Sequence, residues 1–342
     1  MDASSDSEAS APRVSVVILN YNGLKFAKQC IQSVIESAYP NLEVIVVDNG
    51  STDGSYEIVR QLFNNKLNVK IVRNPRNLGF AEGNNVGYRH SEGAIIVFLN
   101  VDTKVESGWL KPLVSCMVSD DRIGGAQCKL LDMKNREKID SLGATLDVLG
   151  YVYPNRSGSL EESHEIFYSD GAAMAFKRGV LSQVSFGGGP FDSDHLLYYE
   201  DSDLCWRVRL RGYEIVLVPS SVVYHYRGGA GGRDLGYVRT FFFTASHLLT
   251  LIKNYSLWNL ARYLPALAFL EMMQSAILLL SEPRRSVAKL RAFLWCMRNL
   301  RSVWIKRLYV QARVRRIPDH EVMRLMRRPN LLAARATAGV FY

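Results

Sequence analysis

Between Val14 and Leu99 the chain alternates unbroken apolar runs with segments that are apolar only every third or fourth residue. The runs are VSVVIL (14–19), EVIVV (43–47), VKIV (69–72) and AIIVFL (94–99). So little polar alternation suits strands buried on both faces of a sheet. Between them, Leu24, Ala27, Ile31, Val34, Ile35 and Ala38 stand at helical spacing, as do Tyr56, Val59, Leu62 and Phe63. That spacing gives an amphipathic helix one apolar stripe. Pro40 and Asn41 are expected to end the first helix. RNPRNLGFAEGNNVGYRH (73–90) opens as a Gly/Asn-rich loop and becomes helical. The alternation predicts an α/β fold, with a mostly parallel, doubly wound sheet flanked by helices.

Right-handed crossovers place the C-terminal ends of 14–19, 43–47 and 94–99 along one edge. Open α/β sheets bind ligands at that edge. Asp48 follows the second run, and Asn100 and Asp102 follow the last, so these side chains are expected to face one crevice. A carboxylate beside a second oxygen ligand suits a hard divalent cation carrying a phosphate. The alternative at both places is an Asx-type turn.

The next section is less regular. A helix is expected over 106–118, a strand over 124–131, and hairpins with an excursion loop over 132–165. Glu200, Asp201 and Asp203 open a helix that Gly212 ends. EIVLV (214–218) reads as a strand and SSVVYH (220–225) as a last short one carrying His225, before a Gly-rich loop. Two acids at a helix start are either partners of its dipole or a general base held ionised there. His225 is either a structural histidine or a metal ligand.

From about residue 234 the texture changes to long apolar helices, and 283–328 reads as helical and rich in Arg. The 17-residue stretch 264–280 holds Glu271 and Gln274 near its middle. A charge there is costly in a spanning helix, which predicts an interfacial or core helix instead. The chain's net charge of +9 is unevenly placed: residues 281–342 carry 15 basic and 3 acidic residues. Arg284, Arg285, Lys289, Arg291, Arg298 and Arg301, interleaved with Phe293, Leu294, Trp295 and Trp304, suit a helix lying on anionic lipid. No nucleic-acid motif accompanies the charge, so a nucleic-acid partner is not expected. The five cysteines are scattered and form no CxxC pair, as free core residues of a reducing compartment would be. Residues 1–12 are acidic and Ser/Ala-rich, the composition of a disordered leader rather than a signal peptide. Neither a P-loop nor a strand-linked G-x-G-x-x-G occurs, which removes the main signal of a nicotinamide-binding domain.

Taken in order, VVILNYNG, VVDNGSTDGS, NPRNLGFAEGNNVG, VFLNVDT, GAAMAFKR, YYEDSDLCWRVRLRGY and VVYHYRGG resemble the family 2 glycosyltransferases of the GT-A fold. Within that family the likeness is to rhamnosyltransferase-like members, and it covers about residues 13–230. The resemblance implies a Rossmann-like catalytic domain over 13–233, with a nucleotide-sugar half (13–103) and an acceptor half (104–233), and a helical C-terminal appendage over 234–342. It implies inverting transfer from a nucleoside diphosphosugar, dTDP-rhamnose or a UDP-sugar, with Mg2+ or Mn2+ as cofactor. It places Asn20, Asn22, Asp48, Asn77, Gly79, Phe80 and Asn100 around the nucleotide-sugar, with Gly171 and Ala172 near its diphosphate or the acceptor. Asp102 and His225 would ligate the metal, and Asp201, with Glu200 beside it, would be the base. Many members carry Asp-x-Asp where this chain has Asn-Val-Asp, which leaves the metal one carboxylate fewer. The expected acceptor is a glycan or a lipid-linked molecule. The expected location is cytoplasmic, peripheral to the inner face of the plasma membrane. Two rival readings fit less well. A nucleotidyltransferase wants a Gly-rich, Lys-containing loop near the first strand, which ILNYNGLK matches poorly. A degenerate scaffold would have lost the acids, yet Asp48, Asp102 and Asp201 are all present.

Overall fold

The four apolar runs are strands: β1 (Val14–Asn20), β2 (Leu42–Asp48), β3 (Val69–Arg73) and β4 (Ile95–Asn100). The computed structural model describes residues 11–195, 197–226 and 235–329; most of the expected leader and the Gly-rich loop after Tyr226 lie outside the described residues. β4, β1, β2 and β3 are neighbours in that order and all parallel. Helices α1 (Ala27–Ile35), α2 (Ser55–Phe63) and α3 (Gly79–His90) connect them. Strand pleating sends Val17, Ile45, Val47, Ile96 and Phe98 into one apolar layer. It sends Val16, Ile18, Val44, Val46 and Val97 into the other. Both faces of the sheet are therefore buried, which is why these strands lack polar alternation.

Helix α1 is shorter than its apolar spacing predicted. It begins only at Ala27, and Ala38 turns the chain away with a φ of 53°, two residues before Pro40. Beyond β4 come β5 (Thr103–Val105), α4 (Leu110–Ser119) and β6 (Ile123–Asp132). The excursion holds β7 (Ile139–Ser141), β8 (Ala144–Leu146), β9 (Val152–Pro154) and β10 (His164–Glu165). β11 (Ala173–Lys177) enters the sheet antiparallel between β4 and β6. The sheet therefore stays parallel across β1 to β4 and becomes mixed beyond them.

After α5 (Arg178–Val184) and α6 (Glu200–Leu210), the two expected late strands prove to be one, β12 (Glu214–His225). Its register on β6 slips between Val218 and Val222. Pro219, which has no N–H to donate, falls in that slip, and the strand continues beyond it as a bulge. β12 also pairs with β5, so His225 lies opposite Thr103, next to Asp102.

The C-terminal region packs α7 (Leu235–Asn254), α8 (Leu257–Ser281), α9 (Pro283–Arg298) and α10 (Leu300–Tyr309). The stretch expected to be helical throughout is interrupted at Asn299 and passes through a wide turn at Val310–Val314. It then runs extended before the short α11 (Asp319–Met323). Leu248, Leu251, Leu267, Ala292 and Val314 belong to the same apolar cluster as β1 and β4 residues, so these helices close over the core rather than standing apart.

Candidate active site

The C-terminal ends of the parallel strands meet as expected. Asn20 is level with Asp48 across β1 and β2, and Leu19 is level with Asn100 across β1 and β4. A cleft of about 920 Å3 opens above them, and Asn22, Asn77, Gly79, Phe80, Asn100 and Asp102 all line it. Phe242 of α7 closes the far side with Leu197.

Asn20 and Asp48 are not in the lining. Both are buried, Asp48 to 1% exposure. Asn20 Nδ2 donates to Asp48 Oδ1 at 2.9 Å and to Ser55 Oγ at 2.9 Å. The other Asp48 oxygen accepts from the Ser51 backbone N–H at 3.1 Å, with Arg73 Nε at 3.7 Å. These two side chains lace the 48–55 loop to the end of β1, under the cleft wall. Asn22 continues the lacing: its Oδ1 accepts from the Thr52 N–H at 2.8 Å. Asn49, which the sequence did not single out, is the hub of the next wall. It donates to Asn77 Oδ1 at 3.0 Å and to the Gly79 carbonyl, and it accepts from the Leu78 N–H at 3.1 Å.

At the other end of the cleft, His225 Nε2 approaches Asp102 Oδ1 at 3.6 Å. Its Nδ1 lies 2.8 Å from Asp140 Oδ2, a residue of β7 that is 5% exposed. Burial opposes charging of this imidazole, but the two carboxylates outweigh it and hold the ring up at about 10. A carboxylate on the far nitrogen of a histidine is how metal-ligating imidazoles are commonly oriented. The donor set here, one carboxylate and one imidazole nitrogen, fits a divalent cation only if the remaining positions are taken by water or phosphate oxygens.

Asp192, His195 and Asp203 also bring ligand atoms within 4.8 Å of one another. This grouping is not a plausible cation site, because a cation is already built in. The Lys253 ammonium, fully buried, contacts Asp192 and lies 3.1 Å from Asp203 Oδ1. Arg207 holds the other Asp203 oxygen at 3.0 Å.

The acids at the start of α6 sit beside the cleft. Tyr198 and Tyr199 precede them with φ of 67° and 63°, a conformation that costs non-glycine residues about 1–3 kcal/mol each. Tyr199 is held there by its hydroxyl on the Gly150 carbonyl at 3.0 Å and by stacking on His247. The strained turn aims Asp201 at the small residues before β11. Asp201 Oδ2 accepts from the Gly171 N–H at 3.2 Å, and Oδ1 accepts from Ser202 N–H at 2.6 Å. A side chain at Gly171 would meet Phe80 at 3.4 Å and Asp201 Oδ2 at 3.6 Å, so glycine keeps the space between cleft and carboxylate open. Ala172 sits behind it, its carbonyl accepting from the Asn100 N–H.

Burial, and then the charge of Asp170, push the Asp201 carboxyl up to about 7. Glu200 is driven well above the carboxylate range by burial and by Asp201. Its Oε2 is buried and has no hydrogen-bond partner among the described residues. At neutral pH the pair therefore divides its roles: Asp201 can take a proton, and Glu200 keeps its own. Asp140 and Asp170 were both missed by the sequence reading. Nothing in their local sequence marks them, since each acts on a residue more than thirty positions away.

The family model "Glycosyl transferase family 2" matches residues 15–185, half of the chain. Glycosyltransferase AglE of Haloferax volcanii is 37% identical over 118 residues, covering 33% of this chain and 39% of AglE. The chain spans between a quarter and about half the length of the first curated relatives it matches. Among solved structures, GalNAc-T7 with UDP, GalNAc and Mn2+ superposes with a TM-score of 0.60 at 16% identity, over 86% of this chain and 58% of that one. The mannosyltransferase PcManGT of Pyrobaculum calidifontis, in complex with GDP-Man and Mn2+, superposes with a TM-score of 0.55 at 21% identity, over 97% and 87%. At these identities the two structures share the fold with this chain.

Proposed function

The chain belongs to glycosyl transferase family 2, and we propose that it moves a sugar from a nucleoside diphosphosugar to a hydroxyl of a glycan or lipid-linked acceptor, inverting the anomeric centre. The observation that carries this reading is the position of Asp201. Its carboxylate is tuned to about 7 and stands behind Gly171 and Phe80, beside a cleft that ends at Asp102. A base of that strength can receive the acceptor proton as the acceptor oxygen attacks C1. The bond from C1 to the diphosphate oxygen breaks with its electrons, and the nucleoside diphosphate leaves. One displacement inverts the centre and needs no protein nucleophile. Glu200, kept protonated, adds no second negative charge at the site.

Asp102 and His225 would hold Mg2+ or Mn2+, which stabilises the charge that develops on the leaving diphosphate. Asn22, Asn77 and Gly79 would contact the nucleotide from the opposite wall, with Asn20 and Asp48 shaping that wall from beneath. The donor base and sugar of this reading are those of dTDP-rhamnose or a UDP-hexose. The catalytic part is 13–233, and the protein works at the inner face of the plasma membrane.

The test is Asp201→Asn. Transfer should fall by about 10²–10⁴-fold, the usual contribution of a positioned base. Affinity for UDP or dTDP should stay within a factor of two to three, measured by titration calorimetry. Transfer at a near wild-type rate would remove Asp201 from the mechanism.

A further inference from the structure

From Leu267 to Ser281, helix α8 carries its charge inward and its apolar side outward. Leu260, Leu267, Glu271, Gln274 and Leu278 are buried, and at 100° per residue they form one stripe. On the opposite stripe Phe269, Met272, Met273, Ile277 and Leu280 are exposed, Leu280 to 90%. The inward charge is fully matched: Glu271 pairs with Lys289 Nζ at 2.6 Å and accepts from the Tyr151 hydroxyl at 3.0 Å. Lys289, expected to face lipid, is thus a core residue.

Helix α9 divides into three stripes. Ala288, Lys289, Ala292 and Cys296 are buried. Val287, Leu290, Leu294 and Met297 are exposed on the other side. Arg284, Arg291 and Arg298 recur every seven residues along the border between the two, and all are exposed. Trp304, Ile305 and Leu308 extend the apolar surface along α10.

We propose that the outer face of α8, α9 and α10 seats in one leaflet of an anionic bilayer without crossing it. A crossing helix would have to leave the protein, whereas α8 is packed on it from Leu260 to Leu278. The apolar stripes match the acyl boundary, and the Arg border matches anionic headgroups. A second copy of the chain fits this face poorly. The exposed acid among the described residues of α8–α10 and their links is Glu282, which is paired with Arg285 at 2.8 Å. A two-fold contact would therefore set Arg rows against each other.

The same seat explains where the acceptor enters. Arg285 donates to Thr240 Oγ1 at 3.0 Å, and Arg291 to the Tyr237 hydroxyl at 2.8 Å. These contacts fix α9 to the first turns of α7, and Phe242 in those turns lines the cleft. Seated on lipid, the cleft opens beside the headgroup layer, where the acceptor hydroxyl of a lipid-linked molecule would lie. This last step rests on the transfer reaction proposed above; the docking does not.

The test is flotation of the full chain on vesicles of phosphatidylcholine alone or mixed with phosphatidylglycerol, at low and high salt. The protein should float on the mixed vesicles, and salt should weaken but not abolish binding. Ile277→Asp with Leu280→Asp should lower the bound fraction about tenfold or more. Arg284→Glu with Arg298→Glu should lower it about tenfold on mixed vesicles and little on neutral ones. In the unaltered chain, acyl-brominated lipid should quench tryptophan emission, a readout that needs no variant to fold. Absence of both flotation and quenching overturns the proposal. So does a concentration-dependent dimer that the aspartate pair dissociates while flotation is unchanged. Asp201→Asn should float like the wild type, so loss of transfer and loss of docking read separately. Equal rates on water-soluble and vesicle-borne acceptors would remove the lipid-linked acceptor and leave the docking intact.

Discussion

Asp170 sits immediately before Gly171 and Ala172, and after burial its charge is the second cause that raises Asp201. A base with a value of about 7 is half ionised at neutral pH. Below that, kcat/KM should fall tenfold per pH unit, because only the ionised form accepts the proton. Removing a neighbouring negative charge makes ionisation easier. Asp170→Asn should therefore move the acid limb of the kcat/KM profile to lower pH. An unmoved limb would mean that Asp170 does not feel Asp201. The acids at 48, 102 and 201 were legible because each ends or closely follows a strand, or opens a helix, inside a recognisable stretch. Asp170 was not, because its effect passes through space and not through any spacing along the chain. Asp48 shows the converse. Its position at the end of β2 was read correctly, yet its oxygens are spent on Asn20 and Ser51 rather than directed into the cleft.

At the scale of elements, the excursion between β6 and β11 changes meaning once folded. In the sequence it is a run of short, mixed pieces. In the fold, β7 pairs with β6 and puts Asp140 against His225 Nδ1, while β12 brings the same histidine opposite β5 and Asp102. Three elements from three parts of the chain therefore orient one imidazole. Asp140→Asn keeps the shape but removes the carboxylate that would hold the proton on Nδ1 and free Nε2 for a metal. Partners of this kind are worth about 10–100-fold in metal affinity. Mn2+ binding in the presence of UDP, followed by electron paramagnetic resonance, should weaken by that factor. Unchanged affinity would detach His225 from the metal. The parallel half of the sheet was readable from apolar runs alone. The mixed half was not, because β11 and the bulged β12 owe their places to pairing partners far away in the sequence.

At the scale of the whole molecule, the C-terminal helices are joined to the segments around α6 by buried charge as well as by apolar packing. Lys253 of α7 lies between Asp192 and Asp203, and Lys306 of α10 reaches Asp192 and Asp194, the latter at 2.6 Å. Asp203 stands one turn after the strained start of α6, so the helices proposed to seat on lipid also brace the helix that carries Asp201. Composition could locate the basicity of this region, but it could not separate the lysines that face solvent from those spent inside. Despite their burial, Asp203 is held down to about 2, and Asp192 well below its ordinary value, chiefly by Lys253. A carboxyl depressed in the folded state stabilises above its unfolded value of 3.8 and loses that contribution as pH falls toward 2. Wild-type stability should therefore drop across that window. Lys253→Met leaves two buried carboxylates short of a partner, which costs about 3–5 kcal/mol. Urea unfolding at neutral pH should show that loss, and the drop between pH 4 and 2 should flatten, because both acids then titrate nearer to their ordinary values. A loss below about 1 kcal/mol would mean that Lys306 and Arg207 alone satisfy the cluster, and the brace between α6 and the C-terminal helices would rest on packing.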